Sequence, residues 1–139
     1  MIVVDANAMV LALVDPSTKG DEARAALVAD DDWCAPAHMP LEVQRTLHKA
    51  VLQSHIKASD ADSAVSALIS MQFEYVPADT TLQHAVWAMR HNVSTYDAAY
   101  LAVAMLNDAA LVTFDARLAK VATMGRTPIS VTLLPRQQP

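Results

Sequence analysis

Four acidic residues, far apart in the sequence, are candidates for metal-ion chemistry. Each follows a short apolar run or lies in the first turn of a predicted helix: Asp5, Glu42, Asp97 and Asp115. In an open parallel sheet, the strand ends and the starts of the following helices gather on one side. If these carboxylates approach within about 5 Å, each pair repels by about 3 kcal/mol at an effective dielectric near 20. Strongly raised pKa values could relieve this repulsion, but a hard divalent cation, Mg²⁺ or Mn²⁺, is the commoner solution for such a set of oxygen ligands.

Each of these acids also has an ordinary structural explanation. Asp5 and Asp115 could be helix N-caps, and Asp97 could close a capping box with Ser94. Glu42 could do no more than favour the helix dipole. Their shared position in the fold, rather than any one of them, indicates a site that binds metal and, through metal, phosphate.

Two neutral side chains accompany the acids. Thr113 precedes Asp115 by two residues, so on strand geometry both side chains point to the same side. Asn7 follows Asp5 by two residues. Either could hold a water of the metal site. Equally, Thr113 could be a strand-favouring residue and Asn7 a turn residue.

An alternation of short apolar runs and helical patterns must position these residues. The runs predict five strands, at residues 2–4, 33–35, 73–76, 110–114 and 129–133. Helices are predicted over 8–14, 20–29, 39–52, 59–71, 81–91 and 96–106, with a short last helix after Asp115. Ser59 and Asp62 indicate a capping box for the fourth of these. The alternation predicts a three-layer α/β/α domain over residues 1–139, with a mostly parallel sheet.

Composition excludes several classes of protein. A net charge of −5 over 139 residues argues against binding long nucleic acid through a broadly basic surface. Two glycines leave no room for a P-loop or a dinucleotide fingerprint. The single Cys34 permits no internal disulfide and no cysteine zinc cluster. No HExxH pattern joins the histidines, which are expected as surface or partly buried helix residues: His48, His55, His84 and His91.

The remaining features are assigned to location and packing. The longest apolar stretch, 98–106, is far below the roughly 18 residues of a membrane span, so we expect a cytoplasmic protein without a membrane segment. Aromatic residues at core spacing are predicted to pack inside: Trp33, Phe73 and Trp87. Apolar positions on the first two helices could serve a protein contact or the core: Met9, Leu13 and Leu27.

Basic residues near Glu42 could hold flanking phosphates or form a solvated face: Arg45, Lys49 and Lys57. The segment from 116 to 139 has no acidic residue and is locally basic, and it could also be only a solvated end; its basic residues are Arg117, Lys120, Arg126 and Arg136.

Four segments in order make the sequence recognisable: VVDANAMV, APAHMPLEV, STYDAAYLAVA and LVTFDARLAKVA. Together they resemble the PIN domain, and specifically the VapC-type ribonuclease toxins of bacterial toxin–antitoxin pairs. The resemblance implies a Mg²⁺- or Mn²⁺-dependent endoribonuclease whose acidic site is Asp5, Glu42, Asp97 and Asp115. Thr113 matches the family's hydroxyl position before the last acid.

The resemblance also implies partners, and two positions of this sequence depart from the family pattern. It implies a homodimer that cuts structured RNA, such as transfer or ribosomal RNA, and is silenced by a cognate antitoxin. Asn7 stands where Ser or Thr is more usual, which leaves its role open. Arg117 stands where some relatives place a polar or acidic group, so the number of metal ions stays open. The ions would polarise the scissile phosphate for in-line hydrolysis while Glu42 orients the attacking water.

Two other functions fit parts of this pattern. An aspartate phosphatase or a phospho-acceptor receiver domain also places an Asp at a strand end with Mg²⁺. The phosphatase needs a second Asp where Asn7 stands, and both need a Lys near a later strand end, which 129–134 lacks. A catalytically silent protein of the same fold that only binds a partner is the non-enzymatic alternative, and the presence of all four acids argues against it.

Overall fold

Strands and helices alternate along the computed structural model, which describes residues 1–125 and 129–134. Arg126 and Arg136, noted in the basic segment, lie outside these residues. The strands are β1 (Ile2–Val4), β2 (Trp33–Pro36), β3 (Glu74–Val76), β4 (Ala110–Thr113) and β5 (Val131–Leu133). The helices are α1 (Ala6–Val14), α2 (Thr18–Ala29), α3 (Met39–Leu52), α4 (Ala58–Ser70), α5 (Thr80–Ala88), α6 (Thr95–Leu106) and α7 (Ala116–Met124).

All described strands pair in parallel in one sheet of order β3-β2-β1-β4-β5. The chain leaves β1 toward one edge through β2 and β3, then returns to the other side of β1 as β4 and β5. The strand order reverses between β1 and β4, and in open α/β sheets ligands bind outside the carboxyl ends of the two strands that flank such a reversal; we call this position the β1/β4 crevice. The predicted α/β fold with a parallel five-stranded sheet is confirmed.

Buried apolar residues explain which elements form the centre. Every residue of β1 is buried, as is every residue from Ala98 to Ala104 in α6. Helix α6 contacts β1, β2 and β4, so it has no solvent face along this stretch. Met9 and Leu27 belong to the core, and Leu13 packs against it, so these residues serve packing rather than a surface contact.

Several sequence predictions about local structure are wrong. Helix α4 begins at Ala58, so Ser59 lies inside its first turn, and no side chain caps the helix at Lys57. The predicted capping box is therefore absent. Trp87 is 67% exposed, because α5 buries only Leu82 in the core and turns Trp87 outward, where its ring lies 4.6 Å from the Arg90 guanidinium carbon.

Other local predictions agree with the structure. Phe73 is buried, and the half-buried Trp33 packs on it with ring centroids 5.5 Å apart. Cys34 is buried. The surface histidines are confirmed as exposed: His48, His55, His84 and His91. No helix among the described residues has both the length and the apolar character needed to cross a bilayer.

Candidate active site

Asp5, Thr113 and Asp115 form a hydrogen-bonded group at the carboxyl ends of β1 and β4. The Thr113 hydroxyl donates to Oδ2 of Asp5 at 2.5 Å. The same hydroxyl oxygen accepts the backbone N–H of Asp115 at 2.9 Å. Val4 is paired with Val112 in the sheet, so Asp5 and Thr113 are the next residues along two adjacent strands. The parallel register thus places two residues 108 positions apart in the sequence in direct contact.

The capping explanation of Asp5 and Asp115 is correct, and it is compatible with a site. Oδ1 of Asp5 accepts the N–H of Ala8 at 2.8 Å, and Oδ1 of Asp115 accepts the N–H groups of Arg117 and Leu118. In both residues the cap uses Oδ1. Oδ2 of Asp5 contacts Thr113, and Oδ2 of Asp115 faces the Arg117 side chain. Each of the two residues therefore caps a helix with Oδ1, while its Oδ2 contacts a side chain, Thr113 for Asp5 and Arg117 for Asp115.

Burial makes the charge on Asp5 costly. The side chain is 8% exposed, and loss of hydration is the largest cause that raises its pKa above the ordinary value. The hydrogen bonds from Thr113 and Ala8 act in the opposite direction. The negative charges of Asp115 and Asp97 raise the pKa further. All three carboxylates are thus close enough to interact electrostatically, and a cation near them would relieve the repulsion.

Asp97 is joined to this group through Arg117. Its backbone N–H is capped by Ser94 Oγ at 3.4 Å, which confirms half of the predicted capping box. Its side chain instead contacts Arg117, whose Nη2 lies 3.3 Å from Oδ2 of Asp97 and 3.6 Å from Oδ2 of Asp115. A single guanidinium therefore bridges the two carboxylates.

Glu42 lies in the first turn of α3 and is held by two aromatic residues. The Tyr100 hydroxyl donates to Oε1 at 3.3 Å. Nε2 of His38 is shielded from solvent and lies 2.7 Å from the same oxygen without forming a hydrogen bond. Burial, with the charges of Glu42 and Asp5, raises the pKa of Tyr100 far above its usual value, so this hydroxyl remains a donor.

His38 is a site residue that the sequence reasoning missed. Its ring packs against Tyr96 and Tyr100, with centroids 4.8 and 5.4 Å away. The available signal was its position four residues before Glu42, because residues i and i+4 share one face of a helix. The tyrosines that fix the ring come from α6, which no local pattern around His38 indicates.

The predicted acids share one end of the sheet but fall into two groups. Asp5, Asp97 and Asp115 interact with one another, whereas Glu42 contacts His38 and Tyr100. As placed, no three His, Cys, Asp or Glu residues within 1–125 and 129–134 enclose a single ion position. The donor chemistry still fits a hard cation, because every side-chain donor of the Asp group is an oxygen atom.

The other candidate residues are exposed. Asn7 is exposed on α1, and Arg45 and Lys49 are exposed on the helix that carries Glu42. Lys57 is exposed at the N-terminus of α4. Their positions are compatible both with phosphate contacts and with a solvated surface.

Comparison with known proteins places this geometry in a family. The family model described as the PIN domain matches residues 2–124. Ribonuclease VapC1 of Mycobacterium tuberculosis is 37% identical over 117 residues, which is 84% of this chain and 87% of that protein.

Solved structures share the fold at lower identity. VapBC2 from Rickettsia felis, in a structure bound to a promoter DNA fragment, gives a TM-score of 0.72 at 14% identity, covering 97% of this chain and 100% of that one. VapC20 of M. tuberculosis, a toxin that cleaves the sarcin-ricin loop, gives 0.66 at 16% identity, covering 87% and 95%. With the acids at the strand ends and the matched family model, the chain belongs to the PIN domain family and, within it, to the VapC ribonucleases, the endoribonuclease toxins that its motifs resemble.

Proposed function

We propose that this chain hydrolyses RNA phosphodiester bonds with a divalent cation, Mg²⁺ or Mn²⁺, held by the carboxylates of Asp5, Asp97 and Asp115. The observation that carries the proposal is the Asp5–Thr113–Asp115 group at the β1/β4 crevice, with Asp97 facing Asp115 across one guanidinium. Family membership supports the ribonuclease class. When bound, such an ion supplies positive charge that stabilises the phosphate in the transition state and favours ionisation of the attacking water.

The residues of this chain have distinct tasks in that reaction. Thr113 fixes the orientation of Asp5 and the backbone at Asp115, so two ligands from different strands are positioned by one hydroxyl. Tyr100 and His38 both contact Oε1 of Glu42, so Oε2 is available to orient water. Water adds to phosphorus and gives up a proton, while the bond from phosphorus to the leaving ribose oxygen breaks and that oxygen gains a proton.

The partners we propose are structured RNA such as transfer or ribosomal RNA, a cognate antitoxin and a second copy of the chain. The VapBC2 structure supports the antitoxin, and VapC20, which cleaves the sarcin-ricin loop, supports structured RNA. The second copy rests on the resemblance of the motifs alone. An apolar groove of about 800 Å³ lies between α5 and α6, with the exposed Trp87 and Tyr96 in its lining. A second copy that covers Trp87 would remove this side chain from water. Trp87→Ser should then shift the sedimentation coefficient from dimer to monomer, and an unchanged coefficient would exclude this face.

The cleavage experiment uses matched aspartate variants. Asp115 and Asp79 both cap helices with their side chains, at the N–H groups of Arg117 and Leu118 and of Leu82. Asp115→Asn and Asp79→Asn therefore change two caps alike, but only the first changes the proposed site. We expect purified protein to cut total bacterial RNA into discrete fragments with Mn²⁺ or Mg²⁺, and neither with EDTA nor after Asp115→Asn.

Controls separate the proposal from contamination and from a binding-only role. Asp79→Asn should keep cleavage at the wild-type level despite the same chemical change. Fragments that persist in EDTA or in Asp115→Asn would point to a contaminating nuclease and remove the support for this site. No fragments from any protein, with folding verified by circular dichroism, would favour the catalytically silent alternative. Mapping of the fragment ends identifies the RNA target.

A further inference from the structure

Arg117 touches both oxygens of Asp115 and also reaches Asp97. Its backbone N–H donates to Oδ1 of Asp115 at 2.9 Å, and its Nη2 lies 3.6 Å from Oδ2 of the same residue. The same Nη2 lies 3.3 Å from Oδ2 of Asp97. As the second residue of α7, Arg117 is fixed at its backbone by the helix start and free to swing at its guanidinium, which is on a 64% exposed side chain.

The contacts of the Arg117 guanidinium bring a positive charge to a group of negative side chains. Asp115 and Asp97 both act on the buried Asp5, so three negative groups share the space. The guanidinium carries its positive charge at every working pH. It therefore offsets the repulsion in a protein without a metal ion.

The same two oxygens cannot serve both cations. A Mg²⁺ ion requires its ligand oxygens at about 2.0–2.1 Å, and a guanidinium in contact with those oxygens would be pressed against the ion and repelled by it. We propose that Arg117 is a built-in counter-cation of the acidic site, which a divalent ion must displace before it binds Asp97 and Asp115 together. This inference rests on the proposed function. It means that the carboxylates bind metal less tightly than they would alone, so Arg117 helps to set the ion concentration at which the site fills.

The test measures Mn²⁺ binding without RNA. Arg117→Met removes the guanidinium, and Lys120→Met is the matched control, because Lys120 is exposed one turn further along α7 and the substitution removes the same charge. We expect isothermal titration calorimetry to give about 3- to 10-fold tighter Mn²⁺ binding for Arg117→Met, as fits the loss of two exposed ion pairs. The change in Lys120→Met should stay below about twofold, since its charge lies farther from the carboxylates.

Two further variants test whether the change in Mn²⁺ affinity comes from the guanidinium of Arg117. Arg117→Gln keeps a polar side chain at this position and replaces Arg117→Met in the test if Arg117→Met folds poorly. It should also bind Mn²⁺ more tightly than the unaltered protein. In an Asp97→Asn background, Arg117→Met should change Mn²⁺ affinity less than in the parent, because one of the two contacts is already weakened. Thermal unfolding in EDTA should show a lower melting temperature for Arg117→Met than for Lys120→Met, followed by a larger rise on adding Mn²⁺.

The outcomes separate this inference from the proposed function. Equal Mn²⁺ affinities in Arg117→Met and Lys120→Met, or weaker binding in Arg117→Met, would overturn the inference while leaving the metal site intact. Failure of the unaltered protein to bind Mn²⁺, or an Asp97→Asn protein that binds it normally, would overturn the metal site and the inference with it.

Discussion

Replacing Thr113 by Val tests the link between fold and site, because Val keeps the shape of Thr but has no hydroxyl. The Thr113 side chain is fully buried and makes two hydrogen bonds, to Asp5 and from the N–H of Asp115. A hydrogen bond to a charged group contributes about 1.5–3 kcal/mol, and a buried donor left without a partner costs about 1–3 kcal/mol. We therefore expect Thr113→Val to lower the free energy of unfolding by about 3 kcal/mol.

The corresponding change in melting temperature is measurable. At about 2.1 cal/mol/K per residue, the unfolding entropy of 139 residues is about 0.3 kcal/mol/K, so about 3 kcal/mol lowers Tm by about 10 °C. Thr113→Ser keeps the hydroxyl and loses one methyl group, which costs about 1 kcal/mol and about 3 °C. Differential scanning calorimetry in EDTA distinguishes these two variants.

The loss of stability in Thr113→Val should also depend on pH, and the substitution should reduce RNA cleavage. The hydrogen bond from Thr113 lowers the pKa of Asp5, so its removal raises this pKa further. A carboxyl whose folded pKa is raised stabilises the fold less as pH rises above its unfolded pKa, so the penalty of Thr113→Val should grow from pH 4 to pH 8. Cleavage should fall with Thr113→Val and persist with Thr113→Ser. Equal stability and activity in the two variants would refute the positioning role of the hydroxyl.

Three further predictions follow from other contacts. In EDTA, the melting temperature of Asp5→Asn should fall less between pH 4 and pH 8 than that of the unaltered protein, because burial raises the pKa of Asp5 and Asn cannot ionise. An equal fall in both proteins would contradict this. Tyr100→Phe removes the hydroxyl that donates to Glu42, so we expect cleavage to slow about 2- to 10-fold. Mn²⁺ affinity, measured by calorimetry, should stay unchanged. A changed affinity would indicate that Glu42 is a metal ligand whose position depends on Tyr100. Burial raises the pKa of Cys34 to about 11, so iodoacetamide at pH 8 should label it in urea and not in the native protein, as mass spectrometry will show.

The sequence carries much of the fold, because parallel strands that are buried on both faces read as short apolar runs. The runs around β1 and β4 and the long apolar stretch of α6 are therefore visible without a structure. The positions of Asp5 and Asp115 follow from the same logic, since both come directly after such a run. The site was predictable to the extent that it lies at strand ends.

The remaining features depend on contacts between distant parts of the chain. The role of His38 requires Tyr96 and Tyr100, which lie on another helix, so its own surroundings in the sequence give little indication. The bridge from Arg117 to Asp97 joins α7 to α6 across 20 residues of sequence, so it depends on how the two helices are placed in the fold. The exposure of Trp87 has the same origin, because the neighbours of α5 rather than its composition decide which face is covered.

The pairing of β1 with β4 has a consequence for the time at which the protein becomes active. Asp5 is synthesised early, whereas its partner Thr113 follows 108 residues later. At about 5–20 residues per second, a nascent chain carries Asp5 for about 5–20 s before Thr113 exists. During this interval the growing chain lacks Asp115 as well as Thr113, so on the proposed assignment of the site we expect no cleavage of RNA around the ribosome that makes it. The proposed site is complete only when β4 and the start of α7 have joined the fold.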